Sequence, residues 1–121
     1  MSKTIEFEID QPKLSAALSA AVGVADKRSS NQSILASALL QADTAGLRIT
    51  ATDMQVSMQE RVDAAVRGHG SVCVNIQYLL RIVSTLPAKP LRIKGLDNHW
   101  ISVSVGRSEF KLMGQAPGDF P

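Results

Sequence analysis

The stretch IEFEIDQPKLSAALSAAVGVA, residues 5–25, decides how the chain folds. Ile5, Phe7 and Ile9 alternate with Glu6, Glu8 and Asp10, the period-2 signature of a strand with one wet face. At Asp10 the period changes. Asp suits a helix N-cap and Pro12 suits the first helical turn. Leu14, Leu18, Ala21, Val22 and Ala25 then fall on one stripe at helical spacing, which predicts a helix over 11–25.

The same event recurs about 65 residues later. Residues 71–74 read as a strand, Asn75 as a cap, and 76–86 as a helix that Pro87 and Pro90 end. Three strands follow each helix. After the first come 34–42, 47–51 and a long run over 54–66, joined by the turns Asp43-Thr44-Ala45-Gly46 and Thr52-Asp53. In the long run Met54, Val56, Met58, Val62, Ala64 and Val66 share one parity; Glu60 interrupts it and marks a bulge or a strand end. Arg67-Gly68-His69-Gly70 reads as a loop. After the second helix come 91–94, 101–105 and 109–113, separated by Asp97-Asn98 and Gly106-Arg107. The order is strand, helix, three strands, twice. It predicts an α+β domain of two pseudo-symmetric βαβββ halves, with two helices packed on antiparallel sheets.

With 121 residues, 45% hydrophobic and 20% charged, the chain is long enough for one core. A net charge of +2 permits a phosphate-bearing partner without demanding one. The single cysteine, Cys73, rules out an intrachain disulfide and fits a reducing compartment. No stretch approaches a membrane span, and the charged N-terminus lacks the apolar run of a secretory signal. These features point to a cytoplasmic domain.

Catalytic patterns are missing. His69 and His99 have no partners at metal-ligand spacing, and Cys73 alternates with Val72 and Val74 as a packed thiol does. No nucleophile elbow, phosphate loop or dinucleotide fingerprint occurs. The expectation is a binding or scaffolding role, with no metal or cofactor.

The helices are unusual on their outer sides. At 100° per residue, Lys13, Ala16, Ser19, Ala20 and Gly23 lie opposite the Leu14/Leu18 stripe, with Lys27 just beyond. Gln77, Arg81 and Ser84 lie opposite Leu79, Ile82, Val83 and Leu86. Neither helix carries an acidic side chain between its cap residues. Small side chains with a few cations and amides let a polyanion pass closely. They are equally acceptable as an ordinary helix surface.

Three stretches together resemble a known family. They are SILASALLQAD (residues 33–43), LRITATDMQVSMQERV (residues 47–62) and GRSEFKLMGQAPGDFP (residues 106–121). The chain resembles the N-terminal domain of the bacterial DNA polymerase III beta subunit, the replication sliding clamp. The resemblance implies a three-domain subunit that closes head to tail with a second subunit into a ring. Helices line the hole, sheets form the rim, and double-stranded DNA passes through. It implies a non-catalytic processivity factor that meets DNA polymerase III and the clamp loader through other domains, with no membrane role. Carried over by residue, it implies DNA contact from Arg28 or its neighbour Ser29; with the helices lining the hole, the outer-face residues Lys13, Lys27, Gln77 and Arg81 join them. This chain departs from the family in its loop, Arg28-Ser29-Ser30-Asn31-Gln32-Ser33, which lacks the usual proline.

By the same resemblance, Phe110 and Leu112 pack across the joint between subunits, and 116–121 begins the connector to a second domain. On parity alone Phe110 and Leu112 suit a core equally well. A free-standing protein- or ligand-binding α+β module without a DNA role is the alternative reading of the whole chain.

Overall fold

The computed structural model describes residues 4–24, 36–53 and 55–120. The start of the strand expected over 34–42, the end of the first helix at Ala25, Met54, and Lys27, Arg28 and Ser29 lie outside them.

The described elements begin with β1 (Glu6–Asp10) and α1 (Gln11–Val22). Three strands follow, β2 (Ser37–Asp43), β3 (Gly46–Thr52) and β4 (Ser57–Val62). The short β5 (Ala65–Gly68) leads into β6 (Gly70–Asn75) and α2 (Ile76–Ser84). Then come β7 (Pro90–Gly95), β8 (Ile101–Val105), β9 (Ser108–Leu112) and the two-residue β10 (Gly114–Gln115).

The strands form two five-stranded antiparallel sheets, ordered β5-β1-β7-β8-β9 and β10-β6-β2-β3-β4. This arrangement explains the internal repeat. The strand that leads into each helix joins the three strands of the other half: β1 pairs with β7, and β6 pairs with β2. The halves are exchanged, and the pseudo-symmetry of the sequence becomes that of two matching sheets.

Both helices cover one core. Leu14, Ala17, Leu18 and Ala21 of α1 and Ile76, Leu79 and Val83 of α2 are buried with Phe7, Leu40, Ile49, Leu91, Ile93, Ile101 and Val103. Burying each large side chain contributes at most about 1.5–3 kcal/mol. Cys73 is a fully buried thiol in β6.

Several expectations change. The helices are shorter than their patterns. α1 stops at Val22 with Gly23 as C-cap, and α2 stops at Ser84 with Thr85 as C-cap. The Ser84 and Thr85 hydroxyls donate to the carbonyls of Arg81 and Ile82, so the last turn of α2 closes on its own side chains before Pro87 is reached. Asn75 caps as expected: its Oδ1 accepts from the Tyr78 N–H at 3.0 Å. Asp10 occupies the N-cap position of α1 with extended backbone, yet its side chain makes no cap hydrogen bond. Pro12 stands at the second helical position, where it removes one of the two N–H groups an N-cap side chain reaches.

The expected single strand over 54–66 divides. β4 ends at Val62 and belongs to one sheet; β5 begins at Ala65 and belongs to the other. Glu60 marks neither bulge nor end, since it pairs in register with Ile49. The expected loop at 67–70 is almost all strand, with only His69 between β5 and β6. The Asp53 turn is as read, its Oδ1 accepting from the N–H groups of Gln55 and Val56 at 2.9 and 2.7 Å.

Candidate nucleic-acid interface

The two helices form one surface. Gln11, in the first turn of α1, donates from Nε2 to the carbonyl of Val83 near the end of α2 at 2.9 Å. That bond crosses from the start of one helix to the end of the other, so the two lie antiparallel and side by side. With the core stripes buried, Lys13, Ala16, Ser19, Ala20 and Gly23 are exposed on α1, and Gln77, Tyr78, Arg81, Ser84 and Thr85 on α2. Every described residue assigned to the outer faces from periodicity is therefore on the surface. Lys13, Gln77 and Arg81 share this face; Lys27, Arg28 and Ser29 lie outside the described residues.

The charges here are sparse. Lys13 Nζ lies 3.9 Å from Asp63 Oδ2, in the gap between β4 and β5, and both side chains are largely exposed. The guanidinium carbon of Arg81 stands 5.8 Å from the centroid of the Tyr78 ring, within cation–π range. Among the described residues Arg81 makes no ion pair.

The outer face of the first sheet contrasts with this. Glu8 lies between two cations, accepting from Arg92 Nη2 at 2.9 Å with Arg67 Nη2 at 3.9 Å. The hydrogen bond from Arg92 holds the Glu8 carboxyl below the usual carboxylate range; desolvation opposes this, and the charges of Arg67 and Arg92 reinforce it. The same hydrogen bond raises Arg92. Arg67 and Arg92 of this sheet meet a carboxylate from the same sheet, while α1 and α2 bring none of their own.

A second surface lies at the sheet edge. β9 is an edge strand, with Phe110 opposite Val103 and Leu112 opposite Ile101. Their partners are buried, so Phe110 and Leu112 stand on the core side, at its lip. Leu112 is half-buried against the core, and Phe110 is 37% exposed. A groove of about 410 Å³ lies alongside, lined in part by Tyr78, Trp100, Lys111, Leu112 and Met113. Tyr78 (52%), Trp100 (39%) and Met113 (63%) are exposed there. Asn98 and His99, just before Trp100, both have positive φ, at 60° and 67°.

Sequence reasoning passed over Tyr78 and Asp63. The spacing of Tyr78 and Arg81, three apart on a helix, was a usable signal for the first. Nothing local in the sequence brings Asp63 to Lys13.

Among the described residues no three His, Cys, Asp or Glu gather as a metal site, and no helix is long and apolar enough to cross a membrane.

Residues 5–121 match the family model for the DNA polymerase III beta subunit, N-terminal domain. The chain is similar to the beta sliding clamp of C. crescentus, at 26% identity and a TM-score of 0.90, over 98% of this chain and 32% of that one. It is similar to the sliding clamp of Pseudomonas aeruginosa, at 28% identity and a TM-score of 0.88, over 97% and 32%. The sliding clamp of Bacillus subtilis, at 20% identity and a TM-score of 0.89, shares the fold over 99% and 33%. The chain thus spans about a third of the length of the solved proteins it matches.

Proposed function

The chain belongs to the family of DNA polymerase III beta subunit N-terminal domains, and from that premise we propose that it acts as the first domain of a replication sliding clamp. Three such domains make a subunit, and two subunits close head to tail around duplex DNA. The face made by α1 and α2 lines the hole. The sheets form the rim.

The observation that carries this reading is the union of the two helices into one surface that has exposed cations and amides and no carboxylate of its own. A ring that slides must attract phosphate without gripping it. Lys13, Gln77 and Arg81 supply a few sequence-independent contacts, joined by Lys27, Arg28 and Ser29. Small residues between them, Ala16, Ser19, Ala20 and Gly23, keep the wall low. The role is one of tethering, with no catalysis and no cofactor. The polymerase and the clamp loader engage the ring through its other domains, in the cytoplasm.

β9 supplies the joint between subunits. Its outer edge is open to a further strand, and three large exposed apolar side chains, Trp100, Phe110 and Met113, lie on it or beside it. Phe110 and Leu112 form the centre of that contact, as aromatic and aliphatic anchors do. Residues 116–121 begin the connector to the second domain.

The test is the salt dependence of duplex binding. In the full-length ring, Arg28→Ala with Arg81→Ala weakens binding and makes the slope of log K against log salt shallower by roughly 0.9 for each phosphate no longer neutralised. An unchanged slope counts against the helix face as the inner wall.

A further inference from the structure

We propose that Tyr78 is a positioning residue for Arg81, holding the guanidinium ready for a phosphate of duplex DNA; this rests on the helix face being the DNA-facing wall. A long Arg side chain on a helix surface is mobile, and fixing it on a ligand costs rotamer entropy. A carboxylate partner would reduce that cost but cancel the charge that phosphate seeks. An aromatic ring orders the guanidinium and leaves its charge intact, because the attraction comes from the ring quadrupole. Arg81 has that arrangement: its guanidinium carbon lies 5.8 Å from the Tyr78 ring centroid, and no carboxylate among the described residues pairs with it.

The backbone that carries the ring is itself anchored. The Asn75 side chain accepts from the Tyr78 N–H at 3.0 Å, which fixes the first turn of α2 and the direction from which the ring leaves it. Arg81 follows one turn later on the same face. Tyr78 is half exposed and Arg81 is exposed beside it, so the pair meets solvent, and a polyanion, as one unit.

The test compares Tyr78→Leu, Tyr78→Phe, Arg81→Ala and the double variant Tyr78→Leu with Arg81→Ala. Each is examined by side-chain NMR and by duplex titration at low ionic strength, where phosphate contacts are strongest. Without DNA, the Arg81 δ-methylene protons carry a ring-current displacement that Tyr78→Leu removes and Tyr78→Phe keeps. With DNA, Tyr78→Leu weakens binding about two- to fivefold, the range to which an exposed cation–π contact of roughly 0.5–1 kcal/mol converts. Its salt slope stays at the wild-type value, since the charge remains. Tyr78→Phe binds as wild type. In the double variant the loss of Tyr78 adds nothing to the loss of Arg81.

Wild-type affinity in Tyr78→Leu, or an equal loss with and without Arg81, overturns the positioning role while leaving the DNA-facing wall in place. Wild-type binding in Arg81→Ala, or no spectral change on adding duplex, overturns Arg81 as a phosphate contact, and this inference with it.

Discussion

Lys13 Nζ and Asp63 Oδ2 lie 3.9 Å apart, and this is where a carboxylate reaches the helix face among the described residues. Asp63 comes from the gap between two strands, not from a helix. It adds little to stability, since exposed pairs contribute about 0–1 kcal/mol. It does offset a cation that phosphate would use. Asp63→Asn is expected to strengthen duplex binding about twofold at low salt and to change folding stability by less than about 0.5 kcal/mol. Fluorescence anisotropy and urea unfolding measure the two quantities. Unchanged affinity would mean that Lys13 does not meet DNA.

Phe110→Ala with Leu112→Ala separates core from interface. Phe110 is 37% exposed and Leu112 half-buried at the lip of the core, so the pair should cost about 1–3 kcal/mol, less than fully buried residues would. A domain of ordinary stability survives that. The 121-residue chain stays folded by circular dichroism, and the full-length ring sediments as a monomer. Unfolding of the short chain would make both residues core.

The two N-caps predict opposite outcomes. Asn75 accepts a hydrogen bond at the start of α2, and Asp10 makes none at the start of α1. Asn75→Ala should lower stability by about 1 kcal/mol, while Asp10→Ala should leave it nearly unchanged. Equal losses in urea unfolding would contradict the cap geometry.

Glu8 gives a pH signature. Its folded-state pKa is depressed, chiefly by the Arg92 hydrogen bond. Its contribution is therefore fully present above the ordinary glutamate range and lost as pH falls through the depressed value. Unfolding midpoints of wild type and Glu8→Gln should differ at neutral pH and converge in acid. A gap that persists in acid would assign the effect to something other than the carboxylate charge.

Much of the fold was legible because the core is periodic. Ile5, Phe7 and Ile9 are buried as their alternation requires, and both helix stripes face inward. What escaped has physical causes. The break at Asp63 and Ala64 left no trace because Met58, Val62, Ala64 and Val66 keep one parity while the chain leaves one sheet for the other. Gly68 and Gly70 looked like loop residues. They are glycine because neighbouring backbone leaves no room for a side chain: a Cβ on Gly70 would stand 2.8 Å from the Ile5 nitrogen, and one on Gly68 would run into the Thr4 carbonyl. In the candidate site, the helix faces followed from spacing, whereas the Lys13–Asp63 contact depends on where distant strands end.

The exchange of leading strands between halves also governs how the domain is made. β1 finds its partner β7 only after some eighty residues have intervened, as in Phe7 opposite Ile93. Neither sheet can be completed from one half alone, so an early-folding first half is not available as an intermediate. On the ribosome, β1 has only the short β5 to pair with until β7 emerges, and α1, which packs on β3 and β4, still lacks its neighbour α2. Such long-range pairing makes for slow, all-or-none folding, on the order of milliseconds to seconds. Chains shortened before β7 should be captured by chaperones or proteases and should not accumulate as half-domains.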